Sequence, residues 1–276
     1  MSSIITLLTD FGQKDGYVAA MKGVALSISS SVTLIDITHD IGPQNVTEAA
    51  FVIDTVYSYF PKGTIHIVVV DPGVGSSRNA ILACVPNYYF LAPDNGVLTY
   101  VVSKWLSADA EDKNKLHKVE ALEGSPVSLY RLANESYFVP KVSRTFHGRD
   151  IFAPVAAYLS KGMRPDELGE RLNYIHLFVV PKPERNGGIL TGEVIHVDRF
   201  GNLITNILPE RIEGDIARVS IGDHVIKKLS QSYAEGEDIL AIAGSSGRLE
   251  IAAKDASAGS ILGLGIGVKV EVKVSK

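Results

Sequence analysis

The sequence predicts an α/β protein in two parts: an amino-terminal three-layer domain with a largely parallel sheet over residues 1–180, and a smaller antiparallel β-barrel or sandwich over residues 188–276. Three observations predict this. Apolar, β-branched runs alternate with helical periodicity through the first half, as expected of a parallel sheet covered by helices. The stretch "VVPKPERNGG", residues 179–188, breaks that pattern with two prolines, charges and two glycines, and reads as a linker. Beyond it, strand signals dominate.

Each element has a local cause. "IITLLT" reads as a buried strand, and "DGYVAAMKGVALSIS" after it places Val18, Met21, Ala25 and Ile28 on one helical face. "VTLIDIT" is a second strand. In "NVTEAAFVIDTVYSYF", Asn45 is an N-cap with Glu48 three residues on, as in a capping box, and Pro61 and Gly63 end the helix. "TIHIVVVD" is a third strand. These strands run into acid-bearing loops at Asp10, at Asp36 to Asp40 and at Asp71, and ligands of open α/β sheets meet the carboxyl ends of strands. Near the carboxyl terminus, "VKVEVKV" alternates strictly, with Val268, Val270, Val272 and Val274 on one face and Lys269, Glu271 and Lys273 on the other.

Composition narrows the function classes. The 276 residues are 46% hydrophobic and 21% charged, enough apolar surface for a real core and too much for a disordered chain. A formal net charge of −4 without a basic tract argues against nucleic acid as a partner. The single cysteine, Cys84, excludes an internal disulfide and a multi-cysteine zinc site, and in "AILACV" it reads as a core filler. The opening "MSSIITLLTDFG" has no secretory pattern, and no 18-residue apolar stretch occurs, so a cytoplasmic protein without a membrane partner is expected.

Several loops carry candidate chemistry. "IHIVVVDPGVGSSRN", residues 65–79, has neither the glycine spacing nor the lysine of a phosphate loop. It is either a Pro-Gly turn with a solvated Asp71, or a compact loop that returns Arg78 to Asp71 as an ion pair. "TFHGRDIFAP" holds His147, suited to proton handling near neutral pH, with Asp150 read as the N-cap of the following helix and Arg149 as its ion-pair partner. "DITHDI" brings Asp36, His39 and Asp40 together, but without a second ligand cluster it reads as a structural loop rather than a metal site. Asp10 and Asp15 flank one loop before a helix, and Asp198, Phe200 and Asn202 surround a glycine in "HVDRFGNLITNI", which by itself suggests a hairpin.

Taken together, "LLTDFGQKDGYVAAMKG", "DITHDIGPQN", "VVVDPGVGSSR", "LAPDNGVLT", "TFHGRDIFAPVAA" and "VDRFGNLITNI" resemble, in order and over nearly the whole chain, the S-adenosylmethionine hydroxide adenosyltransferases. These SAM hydrolases (adenosine-forming) are relatives of fluorinase and chlorinase. The resemblance implies a carboxyl-terminal β-barrel, and a homotrimer whose sites lie between one subunit's amino-terminal domain and its neighbour's carboxyl-terminal domain. It implies hydrolysis of S-adenosylmethionine to adenosine and L-methionine, with no cofactor and no metal. It also implies a catalytic set of Asp71, Arg78 and His147. By the same resemblance Asp10 binds the ribose hydroxyls, Asp15 and Asp198 lie near the methionine ammonium, Ser245 contacts the methionine carboxylate, and Asn202 reads the adenine edge with Phe200 in the same turn.

Departures from the halogenases point to water as nucleophile. Gly148 replaces their halide-binding serine, Asp71 an aromatic residue and Gln44 a tryptophan. Lys254 stands where relatives usually show asparagine, and Ser246 where halogenases have arginine, so the rim differs. Competing expectations are a non-catalytic adenosine or S-adenosylmethionine binding sensor, a SAM-dependent halogenase, and a metal-dependent hydrolase using "DITHDI" and "HGRD".

Overall fold

The computed structural model describes residues 3–108, 112, 115–121, 124–212, 214–235 and 238–275. They form two compact units, residues 1–180 and 181–276. The first unit opens with β1 (Ile4–Thr9), α1 (Tyr17–Ile28), β2 (Thr33–Thr38), α2 (Val46–Val56) and β3 (Ile65–Val69). It continues through β4 (Ala80–Val85), β5 (Tyr88–Pro93), α3 (Thr99–Val102), β6 (His117–Glu120), β7 (Ser128–Arg131), α4 (Ala153–Ser160), β8 (Arg171–Leu172) and β9 (Tyr174–Leu177).

The main sheet has the order β2-β1-β3-β5-β4-β7-β8. It is parallel from β2 to β5 and antiparallel from there to β8. Because side chains alternate across a strand, the sheet has two apolar faces. Leu8, Val68 and Ile81 pack with α2 and α3 residues such as Ile53 and Val101. Leu7, Ile67 and Leu82 pack on the other face with Met21 of α1 and Val155 of α4. This is a three-layer α/β unit. Because β1, β2 and β3 run in the same direction, the loops at Asp10, His39 and Asp71 leave the sheet at one edge.

Local signals account for the helices. Asn45 accepts from the Glu48 backbone N–H at 3.1 Å, while the Glu48 carboxylate turns to the Gly42 N–H and the Asn45 amide. Val18, Met21 and Ala25 are the buried face of α1. Cys84 lies on β4 against the core, and burial pushes its thiol up to about 12.

The second unit contains β10 (Glu184–Asn186), β11 (Ile189–Val197), β12 (Leu203–Thr205), β13 (Ile216–Ile221), β14 (His224–Ile226), β15 (Leu229–Ser230), β16 (Ile239–Ala243), β17 (Leu249–Ala253), α5 (Ala258–Leu262) and β18 (Lys269–Val274). The order β14-β13-β18-β11-β12-β17-β16-β15, antiparallel except for the last pair, curls into a nearly closed barrel. Val270 and Val272 face its core with Val194, Val219, Leu249 and Ile251. The stretch read as a linker is partly structured: Glu184–Asn186 pairs with β11, because the two glycines at 187 and 188 close a hairpin. Among the described residues no helix is long and apolar enough to cross a membrane.

Candidate active site

The loop after β3 folds back so that Arg78 meets Asp71 side by side. Arg78 Nε donates to Asp71 Oδ1 at 3.0 Å, and Arg78 Nη2 donates to Asp71 Oδ2. Both side chains are largely out of solvent, 11% and 5% exposed, so the pair is bidentate and partly desolvated, the arrangement in which an Arg–carboxylate contact is strongest. Of the two readings left open for this loop, the ion pair is the one that forms. Gly75 explains the compactness. It has φ +77°, and a Cβ there would stand 2.4 Å from the Arg144 carbonyl oxygen, so only glycine lets this loop lie against the segment carrying His147.

His147 approaches from that segment, its Nδ1 2.9 Å from Arg78 Nη2. A guanidinium has no lone pair, so Nδ1 is the acceptor and the ring proton sits on Nε2. Burial, then the positive charge of Arg78, lowers the His147 pKa below its ordinary 6.5, against smaller opposing effects of Asp71 and Asp150. The ring is therefore neutral at pH 7. Arg78 is also 5.9 Å from the centroid of Phe152, which closes its remaining side.

Asp150 does not cap a helix as expected. It lies inside a π-helical turn, Gly148–Phe152, that precedes α4, and its side chain is fully buried. There Oδ2 accepts from the Ser143 N–H at 2.8 Å and hydroxyl at 2.6 Å, and Oδ1 from Arg149 Nε at 2.6 Å. Burial works to raise the Asp150 pKa, but the hydrogen bonds from Arg149 and Ser143 outweigh it and the net shift is downward. A π-bulge carries an extra residue in one turn, and this one pins both ends of the segment that presents His147.

A cavity of about 400 Å³ opens beside this cluster, lined by Asp10, Gln44, Asp71, Phe146, His147 and Gly148 among others. Asp10 Oδ2 accepts from the Gln44 N–H at 2.8 Å, holding Gln44 at φ +64°, an uncommon conformation for a residue with a side chain. Phe11, Tyr17 and Phe146 form the aromatic wall, with ring centroids 5.2–5.9 Å apart. That wall is a feature the sequence reading missed, although "DFGQKDGY" and "TFHG" contain its residues. Asp15 is exposed on the loop before α1.

The "DITHDI" residues are engaged structurally. His39 Nδ1 meets Thr9 Oγ1 at 2.8 Å, and its Nε2 lies 3.0 Å from Asp36 Oδ1, near enough for an ion pair though poorly aligned for a hydrogen bond. Lys22 pairs with the same carboxylate. The network braces Thr9, whose hydroxyl also accepts from the Phe11 N–H, and so fixes the start of the loop that carries Asp10.

Asp198, Phe200, Asn202 and Ser245 belong to the second unit. Asp198 Oδ1 accepts from the backbone N–H groups of Phe200 and Asn202, each at 2.9 Å, and Oδ2 from the Asn202 amide at 2.9 Å. Phe200 is 77% exposed at the tip of this hairpin turn, and Ser245 is exposed in the turn after β16. Beside that turn lies an acid the sequence reading passed over, Glu250. It is 4% exposed and accepts from Tyr233 at 3.2 Å. Burial, with the charge of Asp198 adding to it, raises its pKa against the hydrogen bond from Tyr233.

The chain is thus a two-domain protein: an α/β unit with an Asp–Arg–His cluster beside the loop that follows β3, and a small β-barrel unit. Residues 5–169 match the SAM hydroxide adenosyltransferase N-terminal domain and residues 192–271 the C-terminal domain. The chain belongs to the SAM hydroxide adenosyltransferase family. It is 33% identical to the (R)-S-adenosyl-L-methionine hydrolase of Thermus thermophilus, over 97% of this chain and 98% of that protein. A fluorinase of Nocardia brasiliensis is 27% identical over 98% of this chain and 97% of its own length. Among solved structures, a conserved protein of Thermotoga maritima superposes with a TM-score of 0.83 at 35% identity, covering 98% of this chain and 99% of that one.

Proposed function

We propose that this protein is a hydrolase that splits S-adenosyl-L-methionine into adenosine and L-methionine, with the (R) sulfonium epimer named for its relative as the first substrate to test. The observation that carries the reading is the contact of Arg78 with both Asp71 and His147, two residues that line one cavity. The C5′–S bond breaks with its electron pair going to sulfur, so the positive charge disappears as neutral methionine thioether departs, and no acid is required at the leaving group. The demand falls on the nucleophile. Oxygen from water forms the new C5′–O bond as a hydroxide-like species, the proton having passed to solvent water, so adenosine and methionine are released with charge and atoms in balance.

The tautomer of His147 bears on that proton. With Nδ1 accepting from Arg78, His147 offers Nε2–H and acts as a donor to the attacking oxygen rather than as its base. Arg78 supplies the cation that favours a hydroxide-like oxygen, and Asp71 holds Arg78 in place. Fixing that oxygen at near-attack distance removes several kcal/mol of the barrier. No metal or cofactor enters this scheme.

Water rather than halide is favoured by the crowding at Gly148, where a Cβ would meet Met21 Sδ at 3.1 Å and Phe11 at 3.3 Å. The same proposal includes Asp10 at the ribose, Asp15 and Asp198 near the ammonium, Ser245 at the carboxylate, Asn202 and Phe200 at the adenine, a homotrimer that completes the site, and a cytoplasmic location. Incubation with each sulfonium epimer in ¹⁸O-water, with chelator and with or without chloride, tests the reaction. Adenosine carrying ¹⁸O at the 5′ position is expected. Unlabelled adenosine, a 5′-chloro nucleoside, tight binding without product, or loss of activity to chelator would each overturn the scheme.

A further inference from the structure

The loop that carries Asp71 and Arg78 is bounded by Val70 and Asn79, and both of those residues are tied to one short segment, "PDNG" at 93–96. Asn95 Nδ2 donates to the Val70 carbonyl oxygen at 2.8 Å. Its neighbour Asp94 donates its backbone N–H to the Asn79 carbonyl oxygen at 2.9 Å. Two consecutive residues thus hold the carbonyls immediately before Asp71 and immediately after Arg78.

The clamp is itself anchored. Val70 is fully buried just past the end of β3, so its carbonyl needs a partner that water does not supply. Asn95 is oriented for that by the Val97 N–H, which donates to Asn95 Oδ1 at 3.2 Å. The Asp94 side chain, 1% exposed, accepts from the His176 backbone N–H at 2.8 Å and meets His176 Nδ1 at 2.7 Å, which fastens the segment to β9. The Asn79 amide donates to Tyr174 in the same strand at 3.3 Å. Within the loop, besides the Asp71–Arg78 pair itself and the Arg78 N–H that donates to the Ser76 hydroxyl at 3.3 Å, the backbone is closed by turn contacts from Val74 N–H to the Asp71 carbonyl and from Ser76 N–H to the Gly73 carbonyl.

We propose that Asn95 is a positioning residue for the reaction: its amide, clamped to the Val70 carbonyl, fixes the base of the loop on which Asp71 and Arg78 meet. This rests on the hydrolase reading above. Asn95 touches neither substrate nor the reacting atoms, and acts only through the loop.

The test is Asn95→Leu, which keeps the volume and removes the donor, with Asn95→Asp as the second variant. Asn95→Asp keeps the acceptor for Val97 N–H but places an oxygen against the Val70 carbonyl, so it serves if the leucine variant does not fold. Two readouts are paired. Hydrogen exchange at the Val74 and Ser76 amides is expected to speed up by about tenfold or more while amides of β1 and β12 keep their wild-type rates. Turnover of S-adenosylmethionine is expected to fall about 10- to 100-fold with KM and adenosine affinity nearly unchanged. Wild-type exchange at both amides, or loss of protection spread equally over β1 and β12, overturns the clamp. So does accelerated loop exchange with turnover intact. If the wild-type protein releases no adenosine, the hydrolase reading falls and Asn95 has no reaction to position, while the exchange comparison still separates that failure from failure of the clamp.

Discussion

Two acidic clusters, one in each unit, are held in opposite ways. In the first, Asp71 finds a guanidinium, Arg78 finds a neutral histidine nitrogen, and Asp150 finds Arg149 and Ser143. In the second, Asp198 is satisfied by the N–H groups of its own turn, and Glu250 is buried near it with a phenol as its donor and a pKa pushed up. The cluster in the first unit neutralises acid with resident cations. The second leaves acidic character in place, which suits a ligand that brings its own positive charge, as the sulfonium and ammonium groups of S-adenosylmethionine do. Charge pairing thus characterises the cluster in the first unit, and acid held by neutral donors the one in the second.

The hardest test of this contrast is to remove the resident cation. Arg78→Ala should cut kcat by about 10²- to 10³-fold, the cost of losing one preorganised electrostatic donor, while adenosine affinity by calorimetry stays near wild type. Equal losses in both would make Arg78 a binding residue and erase the distinction between the units. A second, stability-based test uses His66, whose ring is fully buried between Phe90 and the Tyr57 edge, with Nδ1 on Thr6 Oγ1 at 2.7 Å. Burial lowers its pKa to about 3, so below pH 6.5 the unfolded chain takes up a proton that the folded chain refuses. Stability should therefore fall as the pH drops from 6.5 toward 3, by up to about 1.4 kcal/mol per pH unit from this group. In denaturant titrations His66→Leu should show a slope shallower by that amount, and an unchanged slope would mean the ring is not desolvated.

Glu250→Gln sharpens the comparison from the other side. Because the folded pKa of Glu250 is raised, its favourable contribution is complete below the ordinary 4.5 and is lost as pH rises through the folded value. Glutamine does not ionise, so the variant should gain stability on the wild type as pH rises from 4 to 8. A constant difference would show that Glu250 ionises freely. The smallest expected effect is kinetic. Since the His147 pKa lies below its ordinary value, the acid limb of kcat/KM should lie below pH 6.5 and disappear in His147→Gln, and a limb at or above 6.5 would contradict a ring kept neutral with Nδ1 accepting from Arg78.

Much of the fold was legible because it depends on short-range periodicity. The alternation in "VKVEVKV" placed Val270 and Val272 inward, and the capping pattern at Asn45 and Glu48 located the start of α2. Segment 179–188 was misread because prolines, charges and glycines mark a hairpin as readily as a linker, and the pairing of Glu184–Asn186 with β11 is not local. Asp150 was misread for a related reason. An acid before an apolar helix usually caps it, but here Ser143 and Arg149 draw the carboxylate into a π-turn. Asp71 and Arg78 were recognisable together because only a short loop separates them. The aromatic wall of Phe11, Tyr17 and Phe146 joins residues from distant segments, and no periodicity reports such a meeting.

By itself the sequence determined the alternation of strands and helices, the edge of the sheet where acids gather, and the motifs that resemble one family. Those depend on side-chain period, on turn chemistry and on residue type at fixed spacing. Only the tertiary structure decided that Arg78 donates to both Asp71 and His147, that His147 therefore carries its proton on Nε2, and that Asn95 grips the base of the loop. Hydrogen-bond direction is set by which groups folding brings within 3 Å of each other, and residues far apart in the chain acquire that relation only when the core has closed around them.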